Sequence, residues 1–284
     1  MKINDPHWAY LLRIGVDLTG INTGGFHGPI FEDGSFEFIP IPYLLADESY
    51  AKTVYGQFTY GKTIDRKADK PFITYVTNAK IRGMLYDAFM HPDPDFLNSI
   101  YGDIAKTDKM WPIRKAASLV NLKPGNLLVF CASLDPFRTD KYERALYVIG
   151  YFLVEKVYNF QQLTSEERWE TVLKFREANP HCVNVESSEM NEHYIKNLVL
   201  VEGDKNTSTL LKKAVQLTDR YYRILPVWTE ELGLNSTLFT RGERWLPQKD
   251  RYDLLKRRDY LSRLREVLEE HGRYQQQLRC IQSP

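Results

Sequence analysis

The sequence predicts an α+β fold: a bent β-barrel or sheet with flanking helices and a C-terminal helix. The first observation behind this is the stretch 123–158, KPGNLLVFCASLDPFRTDKYERALYVIGYFLVEKVY. It reads as two strands joined by a long polar excursion. Residues 127–132 form an apolar run rich in β-formers directly after the Pro124-Gly125 turn signal, and 146–157 form a second run with Gly150 at its middle. A glycine inside a strand marks a bulge or a close backbone approach. Such a pair serves either a small, sharply bent barrel or an ordinary hairpin of a mixed sheet. The second observation is a helical pattern after residue 164. The third is the aromatic share, 18 Tyr, 14 Phe and 5 Trp, which suits sheet cores and also sites that stack on flat ligands.

In chain order, residues 9–16 (AYLLRIGV) read as a strand ending at Asp17. A loop of Gly, Thr and Asn follows at 19–28; a phosphate cradle and a plain surface loop both account for it. It carries neither the Gly-Lys-Ser/Thr of a P-loop nor GxGxxG spacing. In GPIFEDGSFEFIPIP (28–42), Asp33-Gly34 is a turn signal. Phe36, Phe38 and Ile41 alternate with Glu37 and Ile39 as in a half-buried strand, and Pro40 and Pro42 force extended backbone. Residues 50–70 read as a loop or exposed hairpin, 72–76 as a strand and 81–90 as a helix. HPDPDF (91–96) sets His91, Asp93 and Asp95 at alternate positions between prolines. That is either a turn with solvated carboxylates or a group that binds a metal or positions a water.

Tyr101-Gly102-Asp103 opens a turn, and 113–122 reads as a helix entered at Trp111-Pro112. Thr164 and Glu167 make a capping box for a helix whose apolar stripe is Trp169, Val172 and Leu173, stopping at Asn179-Pro180. Strands follow at 197–201 and 223–228, with a short strand or helical turn at 210–216. A last helix begins near Asp250, with Tyr260, Leu261, Leu264, Val267 and Leu268 on one face, Arg257, Arg258, Arg263 and Arg265 on the other, and Gly272 as C-cap. With no repeat or linker-like tract, the expected organisation is a single α+β domain over 1–249 with a helical extension, 250–284, packed on it.

A net charge of +1 announces no polyanion partner, so any nucleic-acid surface is a local patch. Cys131, Cys182 and Cys280 lie far apart with no CxxC, which argues against a zinc site and a disulfide framework and fits a reducing compartment. The opening MKINDPHWAYLL lacks the apolar run of a signal peptide, and the longest apolar stretch, 145–154, is too short to span a bilayer. A soluble cytoplasmic protein without membrane contact is expected.

The hairpin LKPGNLLVF…YVIGYFLVEKVY resembles the central hairpin of PUA-like barrels, the group that includes ASCH, EVE and YTH domains. Asn126 stands where those domains carry an acidic residue. Several blocks together resemble the nucleotide modification associated domain family, third type. They are Ile14-Gly15-Val16-Asp17, GPIFEDGSFEFIPIP, HPDPDF with YGD, the Pro-Gly strand, YVIGYFLVEKV and LFTRGERW at 238–245. The match around IPIP stops at Pro42, where Tyr43 replaces the Glu of that family.

This resemblance implies a role in systems that make, read or act on modified bases, with nucleic acid or a modified nucleotide as partner. One reading is recognition of a modified or flipped-out base in a PUA-like pocket. Its walls would come from Trp111, Trp245 and Phe137, and its phosphate contacts from Arg114, Arg138, Arg241 and Arg244, with Arg241 to Trp245 falling together in a loop. The alternative is an enzyme, open to metal dependence, whose catalytic residues are Asp17, Asp33, Glu37, His91 and Asp93, with Asp95 beside them. A third is an interaction subunit that docks through its C-terminal helix. Reaction, cofactor, oligomeric state and the choice of DNA or RNA do not follow from the sequence.

Overall fold

The computed structural model describes residues 9–14, 27–42, 59–64, 67, 69–76, 79–91, 93–104, 118–182, 191–226, 228, 243–246, 273–274 and 279–280. In chain order the strands are β1 (Ala9–Arg13), β2 (Gly28–Ile30), β3 (Ile41–Pro42), β4 (Thr63–Ile64), β5 (Met90–His91), β6 (Ile100–Ile104), β7 (Leu127–Pro136), β8 (Ala145–Asn159), β9 (Leu198–Gly203), β10 (Thr209–Gln216), β11 (Glu243–Leu246), β12 (Arg273–Tyr274) and β13 (Arg279–Cys280). The helices are α1 (Ala79–Leu85), α2 (Ser165–Phe175) and α3 (Asn191–Lys196).

The expected hairpin is β7–β8, and the turn that leads into β7 is closed by Asn126. The Asn126 side-chain oxygen accepts from the Lys123 amide at 2.9 Å, and the Asn126 amide returns a bond to the Lys123 carbonyl, also 2.9 Å. The strands pair antiparallel from Leu127↔Leu153 to Leu134↔Ala145. Phe130 faces Gly150 while Cys131 faces Val148, so Ile149 is the extra residue of a bulge at the glycine.

The hairpin sits inside a nine-stranded mixed sheet of order β11-β1-β7-β8-β10-β12, with β2 also on β7 and β9 on β8, and β6 beyond β9. β1 and β2 run parallel to β7, one behind the other along the same edge. The outer edge of β8 is shared between β10, over its first half, and β9, over its second. The sheet is open. Its path ends on β11 at one side and β12 at the other, and among the described residues these edges do not pair, so the barrel form of the expectation is corrected to an open sheet.

Local context overrode pattern in several places. Residues 72–75 are a turn of 3-10 helix, not a strand: the Pro71 carbonyl accepts from the Thr74 amide at 2.9 Å and from its hydroxyl at 2.7 Å. Residues 36–39 do not alternate. Phe36, Glu37, Phe38 and Ile39 are all buried, and Phe36 makes only an isolated bridge to Ile30. The capping box of α2 is present, but its buried face is Thr171, Val172 and Phe175. Trp169 and Leu173 are 44% and 58% exposed. Among the described residues of 223–228 no strand forms, and Ile224 makes an isolated bridge to Thr218. The start of the 113–122 helix and the last predicted helix lie outside the described residues; beyond residue 250, the described strands β12 and β13 pair with β10 and β4.

The main core lies on the β7–β8 hairpin. Two smaller ones flank it: one holds Ile39, Tyr60, Phe72 and Met90, the other Ile100, Phe160, Val172, Phe175 and Cys182. Phe96 anchors the HPDPDF segment in the main core, meeting Phe130 and Phe152 edge-on at ring-centroid distances of 5.4 and 5.5 Å. It rests on Gly150, where a β-carbon would stand 2.5 Å from its ring. Among the described residues no helix is long and apolar enough to cross a membrane.

Candidate functional site

Anchoring Phe96 fixes what precedes it. Asp93 and Pro94 are joined by a cis peptide, and the Asp93 carboxylate turns back toward β6, where the Gly102 amide donates to both of its oxygens at 3.2 and 3.1 Å. Asn179, fully buried, donates its side-chain amide to the same carboxylate at 3.3 Å and accepts from the His181 amide at 3.0 Å. His181 stands on the helical turn that follows, with Nε2 3.5 Å from Asp93 Oδ2 and Nδ1 2.9 Å from the Tyr194 hydroxyl on α3. The His91 ring lies edge-on to that of His181, centroids 4.9 Å apart. His91, Asp93 and His181 each offer one ligand-type atom, and these atoms lie within 4.8 Å of one another.

The cluster sits between the two small cores: His91 follows Met90 of one, and His181 precedes Cys182 of the other. Gly102 makes the convergence possible. A β-carbon there would lie 2.7 Å from Asn179 Oδ1 and 2.9 Å from both the His181 ring and Leu200. Burial sets the electrostatics. It pushes the Asp93 carboxyl up to about 6, against the pull of His181 and the Gly102 amide. It holds His91 well below the usual histidine range, with His181 adding to the effect, so the imidazole is neutral. Burial also pushes the Cys182 thiol up, which keeps it protonated and unreactive.

Of the enzyme residues predicted from sequence, His91 and Asp93 come together here. Asp95 does not join them: its carboxylate closes its own turn, accepting from the Leu97 and Asn98 amides and the Asn98 side chain at 2.8, 3.0 and 2.7 Å. Asp33 is exposed on the 31–34 turn and paired with Lys67. Burial opposes its ionisation, yet the Lys67 ammonium and the Ser35 hydroxyl and amide hold its carboxyl well below the usual range. Glu37 is buried, and neither it nor Asp33 belongs to the His91–Asp93–His181 group. Asp17 lies outside the described residues. His181 was missed, because Asn179-Pro180 reads as a helix stop. The available signal was a histidine placed directly after a proline stop, with a cysteine next to it.

Of the recognition residues, Trp111, Arg114 and Arg241 lie outside the described residues. Arg244 and Trp245 stand on β11, opposite Leu11 and Tyr10, so the expected loop is a strand at this point. Arg138 is exposed, its guanidinium 5.2 Å from the centre of the Phe137 ring. Phe137 meets Phe31 and Tyr75 edge-on at 5.7 and 5.3 Å. The ammonium groups of Lys70 and Lys67 lie 5.4 Å from Phe137 and 5.1 Å from Phe31.

A second polar group flanks the gap between β1 and β2. Arg13 lies over Tyr222 at 5.1 Å, and Arg144 bonds Asp135 at 2.6 Å. Burial first, and then Arg144, lowers His27 to about 4.

The family model described as nucleotide modification associated domain 3 matches residues 9–262. No curated protein and no solved structure matches the chain.

Proposed function

The chain belongs to the nucleotide modification associated domain 3 family, and on that premise we propose that it is an enzyme acting on a modified nucleotide or base, with His91, Asp93 and His181 as its reactive centre. The observation that carries this reading is the buried convergence of two imidazoles and a carboxylate from two segments far apart in the chain. Collecting such groups in a low-dielectric interior costs stability unless they are held, and here Asp93 and His181 are both held. Asn179 and Gly102 fix Asp93, and Tyr194 and Asn179 fix His181. Groups held in this way are oriented in advance, which is what acid–base and electrostatic catalysis require.

The test is turnover. The purified protein is incubated with free nucleotides, nucleosides and oligonucleotides, with and without modified bases, and the products are read by mass spectrometry. A product from a modified substrate that falls about 100-fold or more in Asp93→Asn supports the reading. Turnover unchanged in Asp93→Asn, or none on any substrate, removes it.

A second reading, a base-recognition module with a PUA-like pocket, is favoured by the Phe137 surface. An aromatic face ringed by Arg138, Lys70 and Lys67 has the parts that stack a base and hold its phosphates. Under it, oligonucleotide binding weakens with added salt and is reduced in both Phe137→Ala and Arg138→Ala. Binding that ignores salt and both substitutions removes this reading.

A further inference from the structure

We infer that His91, Asp93 and His181 form the binding site for one divalent first-row transition cation, with zinc the best fit. The inference names the cofactor of the reactive centre and rests on the reading above for its catalytic meaning. Cysteine spacing argued against a zinc site, but this one uses no cysteine.

The donor set comes first. Two imidazole nitrogens and one carboxylate oxygen suit zinc, cobalt or ferrous iron, whereas magnesium and calcium favour all-oxygen surroundings. Three protein ligands leave a position for water or substrate, the pattern of catalytic zinc. The donor atoms lie within 4.8 Å of one another, and an ion at about 2 Å from each would draw them to roughly 3.4 Å. Side-chain rotation supplies that closure.

The supporting residues come second. Ligand histidines bond through their other ring nitrogen, which fixes the tautomer. His181 Nδ1 meets the Tyr194 hydroxyl at 2.9 Å, which leaves Nε2 facing Asp93 Oδ2 at 3.5 Å. With Nδ1 as the donor, Nε2 and the carboxylate present lone pairs to each other, an arrangement that a cation between them makes favourable. The Asp93 carboxylate is oriented by Gly102 and Asn179. Two imidazoles in edge contact beside one carboxylate offer a single dication two neutral donors and one anionic donor.

The experiment uses the full chain, stripped with a chelator and titrated with Co2+, whose visible d–d bands report coordination. The expected result is one Co2+ per chain, displaced by one Zn2+ but not by Mg2+. His91→Gln and His181→Gln should lose more affinity than the roughly 10–100-fold typical of a supporting residue, and Tyr194→Phe about 10-fold. Wild type without a Co2+ spectrum, or histidine variants that bind like wild type, would overturn the inference. Should a variant fail to fold, X-ray absorption of Co2+-loaded wild type decides the matter: two imidazoles on the metal support the site, and none refutes it. The two proposals fail separately. Metal binding without turnover sinks the enzyme reading, while turnover in chelated, metal-free protein sinks the metal.

Discussion

Gly102→Ala tests whether the cluster is as tightly built as its contacts say. The new β-carbon would lie 2.7 Å from Asn179 Oδ1 and 2.9 Å from both His181 Cδ2 and Leu200 Cδ2, all inside van der Waals contact. Rotating one side chain cannot relieve this. Asn179 is fully buried, its oxygen accepts from the His181 amide, and its nitrogen reaches Asp93. The chain must shift locally, at the 1–3 kcal/mol typical of overpacking a filled interior. The shift also loosens the Gly102 amide from Asp93, so Co2+ affinity should fall together with stability. The matched control is Gly83→Ala in α1, where a β-carbon meets nothing within 4 Å. There the better helix propensity of alanine should stabilise by about 0.5–1 kcal/mol. Thermal unfolding of both variants and Co2+ titration of Gly102→Ala measure the effects. A Gly102→Ala protein as stable as wild type and with unchanged Co2+ affinity would refute the reasoning.

Stability should also fall with acid in a window set by His27. The residue is half-buried, its Nδ1 is shielded from solvent with no hydrogen-bond partner among the described residues, and its folded pKa is lowered to about 4. Between about 6.5 and 4 the unfolded chain therefore binds the proton first, so stability drops as pH falls, by about 3 kcal/mol in all. Denaturant titrations at pH 7.5 and 4.5 should show a smaller drop in His27→Asn, and an identical drop would count against the assignment. Asp33→Asn removes an exposed ion pair to Lys67 and should change stability by no more than about 1 kcal/mol. It should leave turnover and Co2+ affinity untouched; a collapse in turnover would return Asp33 to the catalytic centre.

What the sequence determined by itself is what short-range chemistry decides. The Pro-Gly turn and Asn126 set the start of β7, Gly150 marked the bulge in β8, and Thr164 with Glu167 capped α2. Each of these rests on residues a few positions apart, or on one residue's backbone freedom, and so is written locally. The blocks from GPIFEDGSFEFIPIP to YVIGYFLVEKV identified the family for the same reason. Tertiary structure decided the rest. Phe72 to Tyr75 have a strand's composition but follow a proline whose carbonyl closes a helical turn. Glu37 and Ile39 are buried alongside Phe36 and Phe38 because both sides of that segment are covered. The parallel placement of β1 on β7 and the openness of the sheet depend on pairings between distant segments. The candidate site is divided the same way. HPDPDF announced His91 and Asp93, but Asn179 reaches Asp93 from 86 positions along the chain, and His181 arrives with it. No local pattern encodes that meeting: it arises when Phe96 seats on Gly150 and the missing side chain of Gly102 lets Asn179 and His181 close over the carboxylate.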